Sequence, residues 1–141
     1  MGNESFIRWQ GRTIDALGNA ITLILSLCLA TIGFVISKLL DKDFEFQHCS
    51  TKTILFVGIS IIFISIIIIL ILIYNRLLAF RLTSRISRKR EKEQLSEIDN
   101  LRNVVSKKDS LTWTLFKASI LTFFIGEILI IIGFIIEVAN K

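Results

Sequence analysis

The stretch ILFVGISIIFISIIIILILIY, residues 54–74, decides the fold class because it is apolar on every face of a helix. A helix in a water-soluble bundle needs one polar face, and this stretch has none. At a rise of about 1.5 Å per residue, about 20 such residues cross the roughly 30 Å hydrocarbon core of a bilayer. The stretch therefore predicts a transmembrane helix rather than a buried helix of a soluble bundle.

The same kind of segment recurs twice more along the 141 residues, of which 52% are hydrophobic. Mean hydropathy is +0.66, which is high for a soluble protein of this length. We predict an all-α integral membrane protein of one membrane domain, residues 1–141. Its three transmembrane helices are expected at about 16–40, 53–74 and 111–138.

Charge predicts the orientation of these spans. The loop at 41–52 carries two basic and three acidic residues, whereas the segment 75–110 carries ten basic and five acidic ones. Cytoplasmic loops are enriched in Lys and Arg, so 75–110 is expected in the cytoplasm. With three spans, the N-terminus is then cytoplasmic as well, and the C-terminus lies outside. In a bacterium the membrane would be the inner, plasma membrane.

The basic segment 75–110 is expected to be helical. The chain has no proline, so the second span can continue past Tyr74, and a break is expected at 106–110 before the third span. An antiparallel pair of short helices is the simplest arrangement. The segment lacks stacking aromatics apart from Phe80, so we expect anionic lipid headgroups or a protein partner rather than nucleic acid. The expected contact residues are Arg76, Arg81, Arg85, Arg88, Lys89 and Arg90.

Small and polar residues recur every seven positions within the spans. In lipid, small residues allow close backbone approach, and seven-residue spacing keeps them on one seam of a left-handed helix pair. Packing within one protomer and packing between protomers both fit this pattern. The predicted helix-packing residues are Gly33, Gly58, Ser119, Gly126 and Gly133.

Glu127 is the one acidic residue in the run LTFFIGEILIIIGFII, residues 121–136. It lies about 15 Å beyond Lys117, near the expected bilayer midplane, whereas Glu137 is expected at the outer boundary where a charge is cheap. Three interpretations stay open: a protonated structural residue, a carboxylate lining a water-filled cation path, or a proton-carrying switch. The candidate pore or switch residues are Glu127, Asn19, Thr22, Ser26 and Ser65.

Function is narrowed mainly by exclusion. The chain has a single His and no nucleophile–base set, phosphate loop or HExxH motif, so an enzyme is not expected. His48 beside Cys49 lacks further ligands at zinc spacing, and no metal or cofactor is predicted. A homo-oligomeric ion channel or membrane-permeabilising effector is one hypothesis; in outline it is similar to the small helical membrane effectors of bacterial defence and lysis systems. A non-catalytic anchor or accessory subunit that recruits a partner through 75–110 is the alternative.

Overall fold

The computed structural model describes residues 2–41, 49–91 and 98–139, and nearly all of them are helical. Helix α1 is Gly2–Leu40, α2 is Cys49–Glu91 and α3 is Ile98–Ala139. Side chains are described for residues 12–41, 50–86 and 98–139. These ranges contain no strand, so the predicted all-α fold is confirmed for the described part of the chain.

All three helices are long and apolar enough to span a membrane. The qualifying segments are Arg12–Leu40, Ser50–Ile86 and Ile98–Ala139, and the most apolar 18-residue windows within them have mean hydropathies of 2.4, 3.4 and 2.6. Only 17% of the most apolar window in α1 is buried, and 28% of the windows in α2 and α3. Most of the apolar surface therefore stays uncovered, which suits contact with acyl chains and supports an integral, multi-pass membrane protein.

The helices are longer than the predicted spans. Helix α2 continues past Tyr74 to Glu91, as expected, but the break predicted at 106–110 is wrong because α3 is continuous from Ile98. No Gly or Pro interrupts residues 98–112, and Ser, Lys and Asp cost a helix only a fraction of a kcal/mol, below about 0.7 each. The segment 75–110 therefore consists of extensions of α2 and α3 rather than separate short helices, with 92–97 outside the described residues.

The first of two compact units combines residues 1–63 with 123–141. Within it α2 and α3 are antiparallel, since Gly58 lies next to Ile130 and Ile62 next to Gly126. Helices α1 and α3 run in the same direction, because Thr31 contacts Glu127 and the Phe34 ring contacts the Phe134 ring. The buried apolar side chains of this unit are Ile21, Ile24, Cys28, Ile32, Val35, Leu55, Ile62, Phe123 and Ile130.

The second compact unit is residues 64–122, the later part of α2 and the earlier part of α3. Its buried apolar side chains are Ile69, Leu72, Ile86 and Ile98. Four polar side chains are buried among them: Ser65, Asn75, Thr112 and Ser119. Buried polar groups need hydrogen-bond partners, and these side chains find theirs on the facing helix or along their own.

Candidate functional site

Glu127 shares a hydrogen bond with Thr31 of α1. The Thr31 hydroxyl donates to Glu127 Oε1, and both groups are partly buried. The sequence groups Ser26 and Ser65 with Glu127 as candidate pore or switch residues and does not predict Thr31. Periodicity within one helix gives depth and face, but it does not give the register between two helices. Here that register pairs Thr31 with Glu127 and Phe34 with Phe134.

These residues line an open groove between α1 and α3 in the first unit, which we call the Glu127 groove. Its volume is about 600 Å³. It is lined by Ala30, Thr31, Phe34, Glu127, Ile130, Ile131, Phe134 and Ile135. The ring centroids of Phe34 and Phe134 lie 5.7 Å apart with the ring planes tilted by 55°. The groove is thus an apolar, aromatic cleft with one carboxylate and one hydroxyl on its wall.

The α1 residues predicted to face a pore lie on the protein surface. Asn19, Thr22 and Ser26 are exposed, as is Gly33, which was predicted as a helix-packing residue, and we call these four residues the α1 stripe. Thr22 and Ser26 donate hydrogen bonds to carbonyl oxygens of their own helix, those of Gly18 at 3.1 Å and Thr22 at 2.9 Å. A Cβ added at Gly33 would meet no atom within 4 Å. The stripe therefore makes no close helix contact at Gly33.

Three other predicted packing glycines lie where α2 meets α3 in the first unit. A Cβ added at Gly126 would lie 2.6 Å from Ile62 Cγ1 and 3.2 Å from the carbonyl oxygen of Gly58. A Cβ added at Gly58 would lie 2.8 Å from Ile130 Cγ1, and one at Gly133 would lie 2.9 Å from Leu55 Cδ2. Real Cβ atoms essentially never lie within 3.0 Å of another heavy atom, so a side chain at any of these glycines would force Ile62, Ile130 or Leu55 to shift. We call this contact between α2 and α3 the glycine contact.

Ser65 and Ser119 join the same two helices in the second unit. The buried Ser65 hydroxyl donates to the carbonyl oxygen of Ser119 at 2.9 Å, and the Ser119 hydroxyl donates to the carbonyl oxygen of Phe116 at 2.8 Å. Ser65 thus acts as a link between helices.

Asn75 forms a larger polar link that sequence analysis did not single out. Its Nδ2 donates to the Thr112 hydroxyl and to the carbonyl oxygen of Lys108, both at 2.9 Å. Lys108 Nζ donates in return to Asn75 Oδ1 at 3.3 Å. We call this group the Asn75 clamp. Asn75 directly follows Tyr74 at the end of the apolar run. That position is the feature of the sequence that could have indicated a polar contact between helices.

The predicted basic contact residues extend along α2. The Arg76 guanidinium lies 5.7 Å from the centroid of the Phe80 ring, a cation–π geometry. Arg81 and Arg85 are exposed. The side chains of Arg88, Lys89 and Arg90 lie outside the described residues, although their backbone belongs to α2.

Glu137 is more deeply buried than Glu127. Glu137 is 1% exposed and Thr51 is 0% exposed. Each lies one helical turn beyond the pair formed by Gly133 and Leu55, so the antiparallel register brings them opposite each other. Glu137 was predicted at the outer boundary, where a charge costs little free energy, but that prediction considered only depth along the helix. The structure instead buries the residue, and hydropathy does not report that burial.

The comparisons with known proteins returned no relatives. The chain has no significant match to a protein-family model, to a curated protein or to a solved structure. Within the described residues, no three His, Cys, Asp or Glu side chains come together in a group that could hold a metal ion. We therefore infer a function from the α1 stripe, the Glu127 groove and the basic segment 75–110.

Proposed function

We propose that this chain is the subunit of a small homo-oligomeric membrane protein that conducts cations, as an ion channel or as a membrane-permeabilising effector. The observation that carries the proposal is the two-faced α1. One face is buried at Ile21, Cys28 and Val35, while the opposite face exposes the α1 stripe. Asn19 exposes an amide on this face, and an amide that faces hydrocarbon is costly, so the face favours water or another helix against it.

A symmetric oligomer can supply both a neighbouring helix and a water-filled path. Three helices are too few to surround a water-filled path, whereas a closed symmetric ring can bring one stripe from each subunit to a shared axis. The seven-residue interval from Asn19 to Ser26 to Gly33 suits left-handed packing of neighbouring helices, and Gly33 leaves room for a close approach. In such a ring the α1 stripe would line the path or form the subunit contact beside it.

Glu127 would supply the cation preference. Ala30, which lines the Glu127 groove, is four residues from Ser26 and thus only about 40° from the α1 stripe around the helix. The groove therefore borders the stripe, and a ring of subunits would hold several carboxylates near the axis. Rings of carboxylates favour cations over anions in channels.

The test is conductance of purified protein in planar bilayers. Wild-type protein is expected to carry K⁺ in preference to Cl⁻, and Glu127→Gln is expected to lower both the current and the cation preference. Glu127→Asp is the matched control, because it keeps the carboxylate and should retain most of the preference. Equal currents from the wild type and Glu127→Gln, or no current from a wild-type oligomer, would contradict the proposal.

The orientation follows from charge: we place the N-terminus and the extensions of α2 and α3 in the cytoplasm, and the C-terminus outside. The exposed Arg81 and Arg85 can then contact anionic headgroups, worth about 1 kcal/mol per basic residue near the surface. A single cysteine introduced at Ser106, with Cys28 and Cys49 replaced by serine, should resist a membrane-impermeant maleimide added outside intact cells. Rapid labelling at Ser106 would reverse the orientation.

A second candidate function is a non-catalytic anchor whose extension recruits a protein partner. The Asn75 clamp favours it, since it ties the base of the extension together and keeps α2 and α3 in one register. Charge reversal at Arg81, Arg85 and Arg88 should then abolish capture of the partner, while Glu127→Gln has no effect. If Glu127→Gln abolishes conductance while the charge reversals leave both conductance and protein capture unchanged, this candidate is excluded.

A further inference from the structure

The Glu127 groove has the composition of a ligand site. It measures about 600 Å³, within the roughly 300–1,000 Å³ of small-molecule sites, and it combines apolar walls with a few convergent polar atoms. Phe34 and Phe134 close one part of it with rings 5.7 Å apart. Glu127 Oε1 accepts a hydrogen bond from Thr31, which fixes the carboxyl group on the wall.

The Glu127 carboxyl group has no basic side chain beside it among the residues that line the groove. None of the side chains that line it is Lys, Arg or His, and the partner that the described residues provide for Glu127 is the neutral Thr31 hydroxyl. A carboxylate in an apolar, membrane-spanning segment is costly unless it is paired. A cationic ligand would pair with the carboxyl group that the lining residues leave without a basic neighbour.

The walls indicate which kind of cation fits. Ca²⁺ takes about six to eight oxygen ligands and Mg²⁺ about six, whereas this groove offers the oxygens of one carboxyl and one hydroxyl group. Its other lining side chains are aliphatic or aromatic, and aromatic faces attract organic cations through their quadrupoles. A cation surrounded by hydrocarbon groups matches both the carboxylate and the apolar walls.

We propose that the Glu127 groove binds a lipophilic organic cation, such as a quaternary ammonium, a protonated amine or a phosphonium with aromatic or alkyl groups. The cation lies against the Glu127 carboxylate and the Phe34 and Phe134 rings, and its hydrocarbon groups pack on Ile131 and Ile135. The groove is formed by α1 and α3 of one subunit, so this binding goes beyond the proposed conduction and does not require it.

Calorimetric titration of the full-length protein in detergent micelles tests the proposal. Tetraphenylphosphonium is the probe, and neutral triphenylphosphine oxide controls for partition into micelles and apolar surface. Saturable binding of the phosphonium alone is expected. Glu127→Gln should weaken it about tenfold or more, because a desolvated charge pair loses one partner. Phe34→Leu should weaken it about threefold to tenfold, the range of a cation–π contact.

Two controls locate the effect. Glu127→Asp keeps the carboxylate and should retain binding, while Asp15→Asn removes an exposed carboxylate of α1 outside the groove and should bind like the wild type. Equal binding by the wild type and Glu127→Gln, or equal binding of the neutral oxide, would overturn the proposal. If the wild-type protein binds the phosphonium but carries no current in planar bilayers, the proposed cation path is overturned and the groove site stands.

A labelling experiment on the wild type covers the case in which Glu127→Gln fails to fold. An azidophenyl phosphonium, photolysed in the presence of reconstituted protein, should attach to residues 30–34 or 127–135, and excess tetraphenylphosphonium should suppress the labelling. Attachment spread over residues 64–122, or attachment that the competitor does not reduce, would contradict the assignment.

Discussion

Helices α2 and α3 meet in both compact units, but different forces hold them in each. In the first unit the glycine contact brings the backbones together, and a Cβ at Gly58 or Gly126 would lie only 3.3 or 3.2 Å from the carbonyl oxygen of the other glycine. In the second unit Ser65 and the Asn75 clamp join the helices by hydrogen bonds of 2.9 to 3.3 Å. One half depends on small size and the other on polarity.

The difference shows two ways to join helices where the hydrophobic effect gives no preference. Lipid tails are as apolar as Ile or Leu, so apolar area alone does not favour a helix pair over separate helices in lipid. Close packing and interhelical hydrogen bonds supply the preference instead. Substitutions that remove close packing or hydrogen bonds, but not both, should therefore show how much each contributes to the stability of the helix pair.

The largest effect is expected from Gly126→Ala. The new methyl group would lie 2.6 Å from Ile62 Cγ1 and 3.2 Å from the Gly58 carbonyl oxygen, so the Ile62 side chain or the helix backbones must shift. Overpacking of this kind typically costs about 1–3 kcal/mol. Unfolding by sodium dodecyl sulfate titration in mixed micelles measures the loss.

Gly33→Ala is the matched control for that loss. A methyl group at Gly33 meets no atom within 4 Å, so the free energy of unfolding of the subunit should stay the same or rise slightly. If Gly126→Ala unfolds at the same detergent fraction as Gly33→Ala, the glycine contact does not hold the helices.

The next effect is expected from Asn75→Leu. The substitution removes the donor that Thr112 and the Lys108 carbonyl share, while leaving an apolar side chain of similar volume. Interhelical hydrogen bonds in membranes contribute about 0.6 to 1.7 kcal/mol, and the free energy of unfolding should fall by that amount. Asn103→Leu, at an exposed position of α3, should leave it unchanged in the same titration. Equal losses from both variants would mean that the clamp contributes nothing.

The smallest effect is expected from Ser65→Ala. It removes a single interhelical hydrogen bond, to the Ser119 carbonyl oxygen, and should lower the free energy of unfolding by about 0.6 kcal/mol. Ser60→Ala is its control, because the Ser60 hydroxyl bonds to the carbonyl oxygen of Phe56 in its own helix. A difference between the two alanine variants of zero, or of opposite sign, would count against the role assigned to Ser65.

Sequence predicts the features that each helix carries by itself. Hydropathy predicted three long apolar helices, and the proline-free chain predicted that α2 continues past Tyr74. The seven-residue interval selected Gly58, Gly126 and Gly133, which lie at the glycine contact, but it also selected Gly33, which lies in open space. Periodicity identifies a face without saying what covers it.

The features that sequence missed depend on a neighbouring helix. Thr31 looks like any polar residue of an apolar run until the register of α1 and α3 places it at Glu127. Glu137 looks like a boundary charge in the sequence, but the folded chain buries it. The predicted break at 106–110 failed for a local reason, because polar residues without Gly or Pro do not stop a helix.

The number of subunits in a lipid nanodisc tests the central claim most directly, because the proposed cation path forms only where the α1 stripes of several subunits meet. Native mass spectrometry of the wild-type protein, with empty nanodiscs as reference, counts the subunits. We predict one closed species of four or more subunits. A monomer at every protein-to-lipid ratio would contradict the account, since the stripe would then face lipid uncovered.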